Sequence, residues 1–172
     1  HQFHLAICWR TLADVKTREG PEAALEWYAQ AVPQLEDLAL ANPHMFDYQV
    51  VLAGAYMNLA QAKFRQGQTE LAIDQFHHAR RGYEILSRTK HGKAAGHRYH
   101  LALCQRSIGE LEASRGNYEI AKAQLSLASE CLTKLVAEFP GREEYEQQQR
   151  SCGQALQAVE GILAQQKEPS DG

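Results

Sequence analysis

The chain has 172 residues, of which 44% are hydrophobic and 23% charged, a composition typical of a folded protein rather than a disordered or fibrous one. Its 18 basic and 21 acidic residues are mixed along the whole length and give a net charge of -3, so no basic face for nucleic acid or anionic lipid is expected. No apolar run approaches the roughly 18 residues that span a bilayer, and the four cysteines include no C-x-x-C pair, so we expect neither membrane insertion, nor a disulfide framework, nor a zinc ribbon.

The first residues of the sequence do not resemble a signal peptide. Together with cysteines that are expected to be reduced, this predicts a cytoplasmic protein. The repeat described next begins partway through its pattern, which suggests that the sequence was cut from a longer protein.

An internal repeat is the most informative feature of the sequence. The segment HQFHLAICWR at residues 1–10 is matched by HRYHLALCQR at residues 97–106, an offset of 96 residues. A weaker copy lies halfway between them, where Leu52 and Ala53 stand at the position of the Leu-Ala pair in the other two segments. A recurring period of this length is typical of repeat proteins, in which each copy is one small helical unit.

Each copy is predicted to begin with an amphipathic helix that ends at a glycine, because glycine readily adopts the left-handed conformation that terminates helices. These glycines are Gly20, Gly67 and Gly116. A small residue seven positions earlier is expected to let the two helices of each copy approach closely. These residues are Ala13, Ala60 and Gly109.

A second helix is predicted in each copy, with its core residues at spacings of four, three and seven, which share one helical face. The three predicted core stripes are Ala24, Tyr28, Ala31 and Leu38; Ala72, Phe76, Ala79 and Leu86; and Ala121, Leu125, Ala128 and Leu135.

Proline is predicted to close the second helix of the first and third copies, at Pro43 and Pro140, whereas the middle copy has Gly92 and a polar loop. A further helix from about Glu143 to Gln166 is expected to cap the array, and it is followed by a polar tail. The predicted organisation is one domain at 1–166, made of repeats at about 1–44, 45–94 and 95–141 and a capping helix at 142–166, with the tail at 167–172.

The pattern W-x2-L-A-x6-G followed by A-x3-Y-x2-A resembles the tetratricopeptide (TPR) consensus. In the first copy it is carried by Trp9, Leu12, Ala13, Gly20, Ala24, Tyr28 and Ala31. The resemblance covers residues 1–166 and implies an all-α fold, a TPR-like α-solenoid of three antiparallel helical hairpins and a C-terminal capping helix. The proline comes later after the last consensus alanine than the family pattern has it, so the second helices are expected to be about two turns longer.

The 47–49-residue period, with a proline followed by a short acidic and aromatic stretch, resembles repeats attached to planctomycete-type bacterial serine/threonine protein kinases. Those repeats lie outside the kinase domain. The sequence has none of the kinase motifs, neither G-x-G-x-x-G, nor His-Arg-Asp, nor Asp-Phe-Gly. The resemblance therefore implies a regulatory or scaffolding segment without the enzyme.

His97, His100 and Cys104 are the candidates for a metal site, because residues at i, i+3 and i+7 share a helical face and imidazole with thiolate suits zinc. The same pattern recurs at His1, His4 and Cys8. Packing is the favoured interpretation. The repeat position of Cys8 and Cys104, the cysteine slot, is occupied by Ala55 in the middle copy, and a closed zinc site needs a fourth ligand. No orienting carboxylate or oxyanion site accompanies the Cys-His pairs, so no catalytic residue and no cofactor is predicted.

The TPR resemblance places a partner-binding groove on the concave face, which is lined by the first helix of each hairpin. The residues it assigns to that groove are Arg10, Asp14, Arg18, Met57, Asn58, Gln61, Phe64, Arg65, Arg106 and Glu110. Arg10 and Arg106 occupy the same slot in two copies. They could bind a partner's carboxylate or carbonyl groups, or be solvated and paired with an acidic residue one turn away.

The predicted function is that of a non-catalytic module that binds a protein or peptide in this groove, as part of a larger signalling protein. Two alternatives stay open. The array could be a structural domain that self-associates through its long second helices, giving a homo-oligomer. It could also be a metal-responsive domain that uses the histidines and cysteines of the first helices.

Overall fold

The computed structural model describes residues 2–16, 20–88 and 94–167. Within these ranges it contains seven α-helices and no β-strand, which confirms the all-α prediction. The helices are α1 (Gln2–Lys16), α2 (Pro21–Ala41), α3 (Phe46–Arg65), α4 (Thr69–Ser87), α5 (Ala94–Ser114), α6 (Tyr118–Glu138) and α7 (Glu143–Lys167). None of the helices in the described ranges has an apolar stretch long enough to cross a bilayer.

The helices belong to two compact units, His1–Ala94 and Ala95–Gly172. In the first unit α1 packs on α2, and α3 packs on both α2 and α4. In the second unit α5, α6 and α7 share a core that includes Tyr99, Leu125, Leu132, Tyr145 and Cys152. In each unit, helices that are adjacent in the sequence pack against each other.

Glycine ends the first helix of each pair, as the sequence predicts. Gly67 and Gly116 have φ angles of 76° and 82°, in the left-handed region, and Gly20 also has a positive φ. Gly67 and Gly116 each lie in a Schellman turn. The N–H of the next residue donates to a carbonyl five residues back, Gln68 to Lys63 and Asn117 to Glu112. The next helix begins two residues after each of these two glycines, at Thr69 and at Tyr118.

The predicted prolines also mark helix ends. α2 ends at Ala41, two residues before Pro43, and α6 ends at Glu138, two residues before Pro140. α2 and α6 are each 21 residues long. Gly92, the predicted equivalent in the middle copy, lies outside the described residues.

The core stripes of the second helices are confirmed with one exception. Every predicted stripe residue is buried except Leu38 of α2, which is half-buried; Leu35 and Ala39 are buried instead. The buried face of α2 continues at regular helical spacing through Tyr28, Val32, Leu35 and Ala39, and Leu38 lies at its edge. The prediction of Leu38 as a core residue was therefore wrong.

Close approach between helices occurs where the sequence places small residues. A Cβ added at Gly109 of α5 would lie 2.7 Å from Leu125 Cγ and 3.1 Å from the Ala121 carbonyl oxygen, both on α6. In the first unit, a Cβ added at Gly82 of α4 would lie 2.9 Å from the Cβ of Ala53 on α3. At both positions a side chain would force the two helices apart.

Candidate functional site

The exposed face of α3 carries most of the residues predicted to line a binding groove. Met57 and Asn58 are half-buried, whereas Gln61, Phe64 and Arg65 are exposed. Their spacing along the helix places them on one side, and the helix packs through its other sides on α2 and α4. We call these five residues the α3 surface.

Phe64 is the most conspicuous member of the α3 surface. Its side chain is 51% exposed, although phenylalanine in a helix is usually turned into the core. Met57, two turns earlier, provides a second apolar group, and Gln61 lies between them on the same face. Arg65 follows directly. The surface thus combines two large apolar side chains with an amide and a guanidinium, a composition suited to a protein partner.

The predicted groove residues of α1 are described in part. Arg10 is half-buried on α1. The side chain of Asp14 and the whole of Arg18 lie outside the described residues. Their contribution to a groove stays a prediction.

Arg106 of α5 is engaged within its own unit. Its Nη1 donates a 2.6 Å hydrogen bond to Gln148 Oε1 on α7, and its Nε lies 3.4 Å from Glu110 Oε1, one turn away on α5. Only 21% of the Arg106 side chain is exposed, against 43% for Glu110. The structure therefore contains the pairing with an acidic neighbour that the sequence offered as one of two alternatives, and Arg106 also joins α5 to α7.

The histidine and cysteine positions of α5 are packing positions. Cys104 is fully buried and His97 nearly so. Burial lowers the pKa of His100, and the nearby His97 lowers it further, so its imidazole stays neutral. Across the described ranges, no group of three or more His, Cys, Asp or Glu side chains is arranged to hold a metal ion.

The repeated cysteine slot is buried in every copy except the first. Ala55, Cys104 and Cys152 are fully buried, whereas Cys8 is exposed. Cys152 of α7 occupies the same repeat position, 48 residues after Cys104. Its side chain faces the preceding helix, since its Sγ donates to the Leu125 carbonyl oxygen (3.4 Å) on α6. The helices that pack on α1 both follow it in the chain. The expectation that the slot is buried in all copies was therefore wrong for Cys8.

Cys131 lies at the edge of the core of the second unit. It is half-buried, and its Sγ donates to the Arg98 carbonyl oxygen at 3.4 Å. Burial raises the pKa of the Cys131 thiol, and it raises that of Cys152 to about 11. These two thiols are therefore protonated near neutral pH and are poor nucleophiles.

A groove between α2 and α4, with α3 beneath it, was not predicted from the sequence. It has a volume of about 490 Å³. The small residues Ala39, Ala53 and Gly82 form its base, where α3 and α4 lie close together. Leu40 and Ile85 stand at its mouth and are 82% and 58% exposed. We call this feature the α2–α4 groove.

The polar residues of the α2–α4 groove are divided between its two walls. Glu36 and Asp37 come from α2, and His78 and Arg81 come from α4. Tyr56 of α3 links the walls, since its hydroxyl donates to Glu36 and its ring stacks on His78 with 4.8 Å between the ring centroids. Burial raises the pKa of Tyr56, and the carboxylate of Glu36 raises it further, so the phenol keeps its proton.

This groove escaped the sequence reasoning because its lining comes from three helices that are separated along the chain. The only sequence signal was the small residue Gly82, which the repeat pattern did not explain. Comparison with known proteins adds no further guide, since the chain matches no protein-family model and no curated protein.

The exposure of Cys8 and the burial of Cys104 and Cys152 predict different reactivities for these thiols. In the folded protein at mildly alkaline pH, a water-soluble thiol reagent should modify Cys8 rapidly and leave Cys104 and Cys152 unmodified until the protein is denatured, because both are fully buried and the pKa of Cys152 is about 11. The reaction can be followed by mass spectrometry of peptides. Cys8→Ser should abolish the rapid reaction. Rapid modification of Cys104 or Cys152 in the folded state would contradict the packing interpretation.

Proposed function

We propose that the chain is a non-catalytic binding module that holds a protein or peptide partner against the α3 surface. The observation that carries the proposal is the exposure of Phe64 beside Met57, with Gln61 and Arg65 as polar neighbours. Aromatic and methionine side chains with an adjacent arginine are enriched in protein interfaces, where a few such residues provide most of the binding energy.

We infer further that α1–α2, α3–α4 and α5–α6 are the hairpins of a TPR-like α-solenoid and that α7 is its cap. The Schellman turns at Gly67 and Gly116 and the close approach of Gly109 to α6 support the hairpins. α7 supports the capping role because it buries Tyr145, Cys152, Val159 and Leu163 while Gln147, Gln154 and Gln157 are exposed. In this arrangement the first helices line the concave face, where Arg10 of α1 would extend the α3 surface within the first unit.

The module is proposed to act as a regulatory or scaffolding part of a larger signalling protein, such as a serine/threonine kinase. This proposal rests on the TPR-like pattern and on the repeat length, which resembles that of repeats attached to bacterial serine/threonine kinases. The proposal of a non-enzymatic role is supported by the burial of Cys104 and Cys152, whose thiols could otherwise act as nucleophiles.

The test of the α3 surface is a pull-down from a bacterial lysate with the wild-type chain and with Phe64→Ala. Partners that use this surface should be retained at least about tenfold less by the variant, since truncating a central interface residue costs about 1.4 kcal/mol or more. Captured proteins are identified by mass spectrometry, and the affinity of each purified candidate is then measured by calorimetry.

Leu71→Ala is the matched control, because Leu71 is similarly exposed (47%) but lies on α4. It should retain the same partners as the wild type. If Phe64→Ala and Leu71→Ala retain the same proteins in equal amounts, recognition does not use the α3 surface.

Self-association is the second candidate function, and one face of α1 favours it. Leu5, Leu12 and Val15 are 46%, 41% and 51% exposed and lie on the same side of α1 as the exposed Cys8. Exposed apolar residues that are contiguous on a helix are typical of an interface.

The oligomeric state tests this candidate. If α1 mediates self-association, the mass measured by light scattering should rise with protein concentration, and Leu12→Ser with Val15→Ser should keep it at 19.3 kDa. A monomeric mass for the wild type at every concentration would exclude the candidate. Ile120→Ser, on α6, is the control and should behave as the wild type does.

A further inference from the structure

The α2–α4 groove is a second potential binding site, built from residues other than those of the α3 surface. Its base is apolar and nearly buried at Ala39 and Ala53, while Leu40 and Ile85 at its mouth remain largely exposed. An apolar side chain from outside could therefore contact both the base and the mouth of the groove and bury surface that the chain itself leaves open.

The glycine that lines the groove is particular to this copy of the repeat. Gly82 corresponds to Cys131 in the next copy, and Ala53 corresponds to Ala102. In the second unit the Cys131 thiol reaches across to the Arg98 carbonyl oxygen on α5 and occupies the space between the two helices. In the first unit Gly82 has no side chain, and α3 and α4 approach each other so closely there that an added Cβ would lie 2.9 Å from the Cβ of Ala53, with both residues lining the groove.

The two walls of the groove carry opposite charges. Glu36 and Asp37 give the α2 wall a negative charge, and Arg81 gives the α4 wall a positive charge. Within the part of the chain that the structure describes, neither Asp37 nor Arg81 has an ion-pair or hydrogen-bond partner. Opposite charges on facing walls would favour a ligand that carries the complementary charges on its two sides.

We propose that the α2–α4 groove binds a peptide segment of a partner protein that has an aliphatic or aromatic residue flanked by a basic residue on one side and an acidic residue on the other. The apolar side chain enters over Ala53 and Gly82. The basic residue pairs with Glu36 and Asp37, and the acidic residue pairs with Arg81. Tyr56 holds Glu36 in place from the α3 side through its hydrogen bond.

The test uses a random peptide library displayed on phage, selected on the wild-type chain and counter-selected on the Glu36→Gln, Asp37→Asn variant. The enriched peptides should share an apolar residue between a basic and an acidic one. A synthetic peptide with that sequence should bind the wild type about tenfold more tightly than it binds the counter-selection variant, because two charge pairs are lost. Leu40→Ser, at a residue so exposed that folding does not depend on it, should also weaken binding.

A charge exchange makes the test specific for this groove. The Asp37→Arg, Arg81→Glu variant should bind the peptide poorly and should bind a peptide with its two charged residues exchanged. Asp74→Asn, at an exposed position of α4 outside the groove, is the control and should bind as the wild type does. Thermal unfolding of each variant establishes that it is folded.

Three outcomes would overturn the proposal: no peptide enriched over counter-selection, enriched peptides without the charge pattern, or equal affinity for the wild type and for the Glu36→Gln, Asp37→Asn variant. Peptides whose binding is lost in Phe64→Ala instead would also overturn it, while supporting the α3 surface as the binding site. If the pull-down shows that partners do not use the α3 surface, the groove test is unaffected, because the variants of the two tests share no residue.

Discussion

The packing of this protein depends on pairs of helices that approach closely where one of them lacks a side chain. At Gly109 the helix α5 lies so near α6 that even a methyl group would overlap Leu125, and at Gly82 the helix α4 lies equally near α3. Dispersion contacts fall off steeply with distance, so this approach lets the surrounding apolar side chains interlock. The buried stripes of α4 and α6 follow from the same contact, since they face the helix that approaches.

The length of the second helices determines which surfaces are left for binding. Because α2 continues to Ala41 and α4 to Ser87, both extend along α3 and leave a groove above Ala53 and Gly82. Phe64 and its neighbours lie nearer the C-terminal end of α3. A single central helix thus supports two surfaces of different character, one open and mixed in polarity, the other recessed and charged on both walls.

The sequence predicted most of the fold because its strongest signals are local. A glycine with positive φ, a proline after a helix and an apolar stripe each act within a few residues, and Gly67, Pro140 and Leu125 all behave as predicted. Leu38 was mispredicted because the buried face of α2 passes through Leu35 and Ala39, and Cys8 because its burial depends on which helices surround α1. The α2–α4 groove was missed for the same reason: its shape is set by three helices together, and Gly82 becomes informative only once Ala53 is seen opposite it.

The most direct measurement of the close-approach constraint is the free energy of unfolding of Gly109→Ala by chemical denaturation, compared with Gly153→Ala. Both glycines are helical, but a Cβ at Gly109 would lie 2.7 Å from Leu125, whereas nothing lies within 4 Å of one at Gly153. Gly109→Ala should therefore destabilise the protein by about 1–3 kcal/mol, and Gly153→Ala should stabilise it by about 0.5–1 kcal/mol through its higher helix propensity. If both substitutions stabilise the protein equally, the helices are not held at the distance that this account requires.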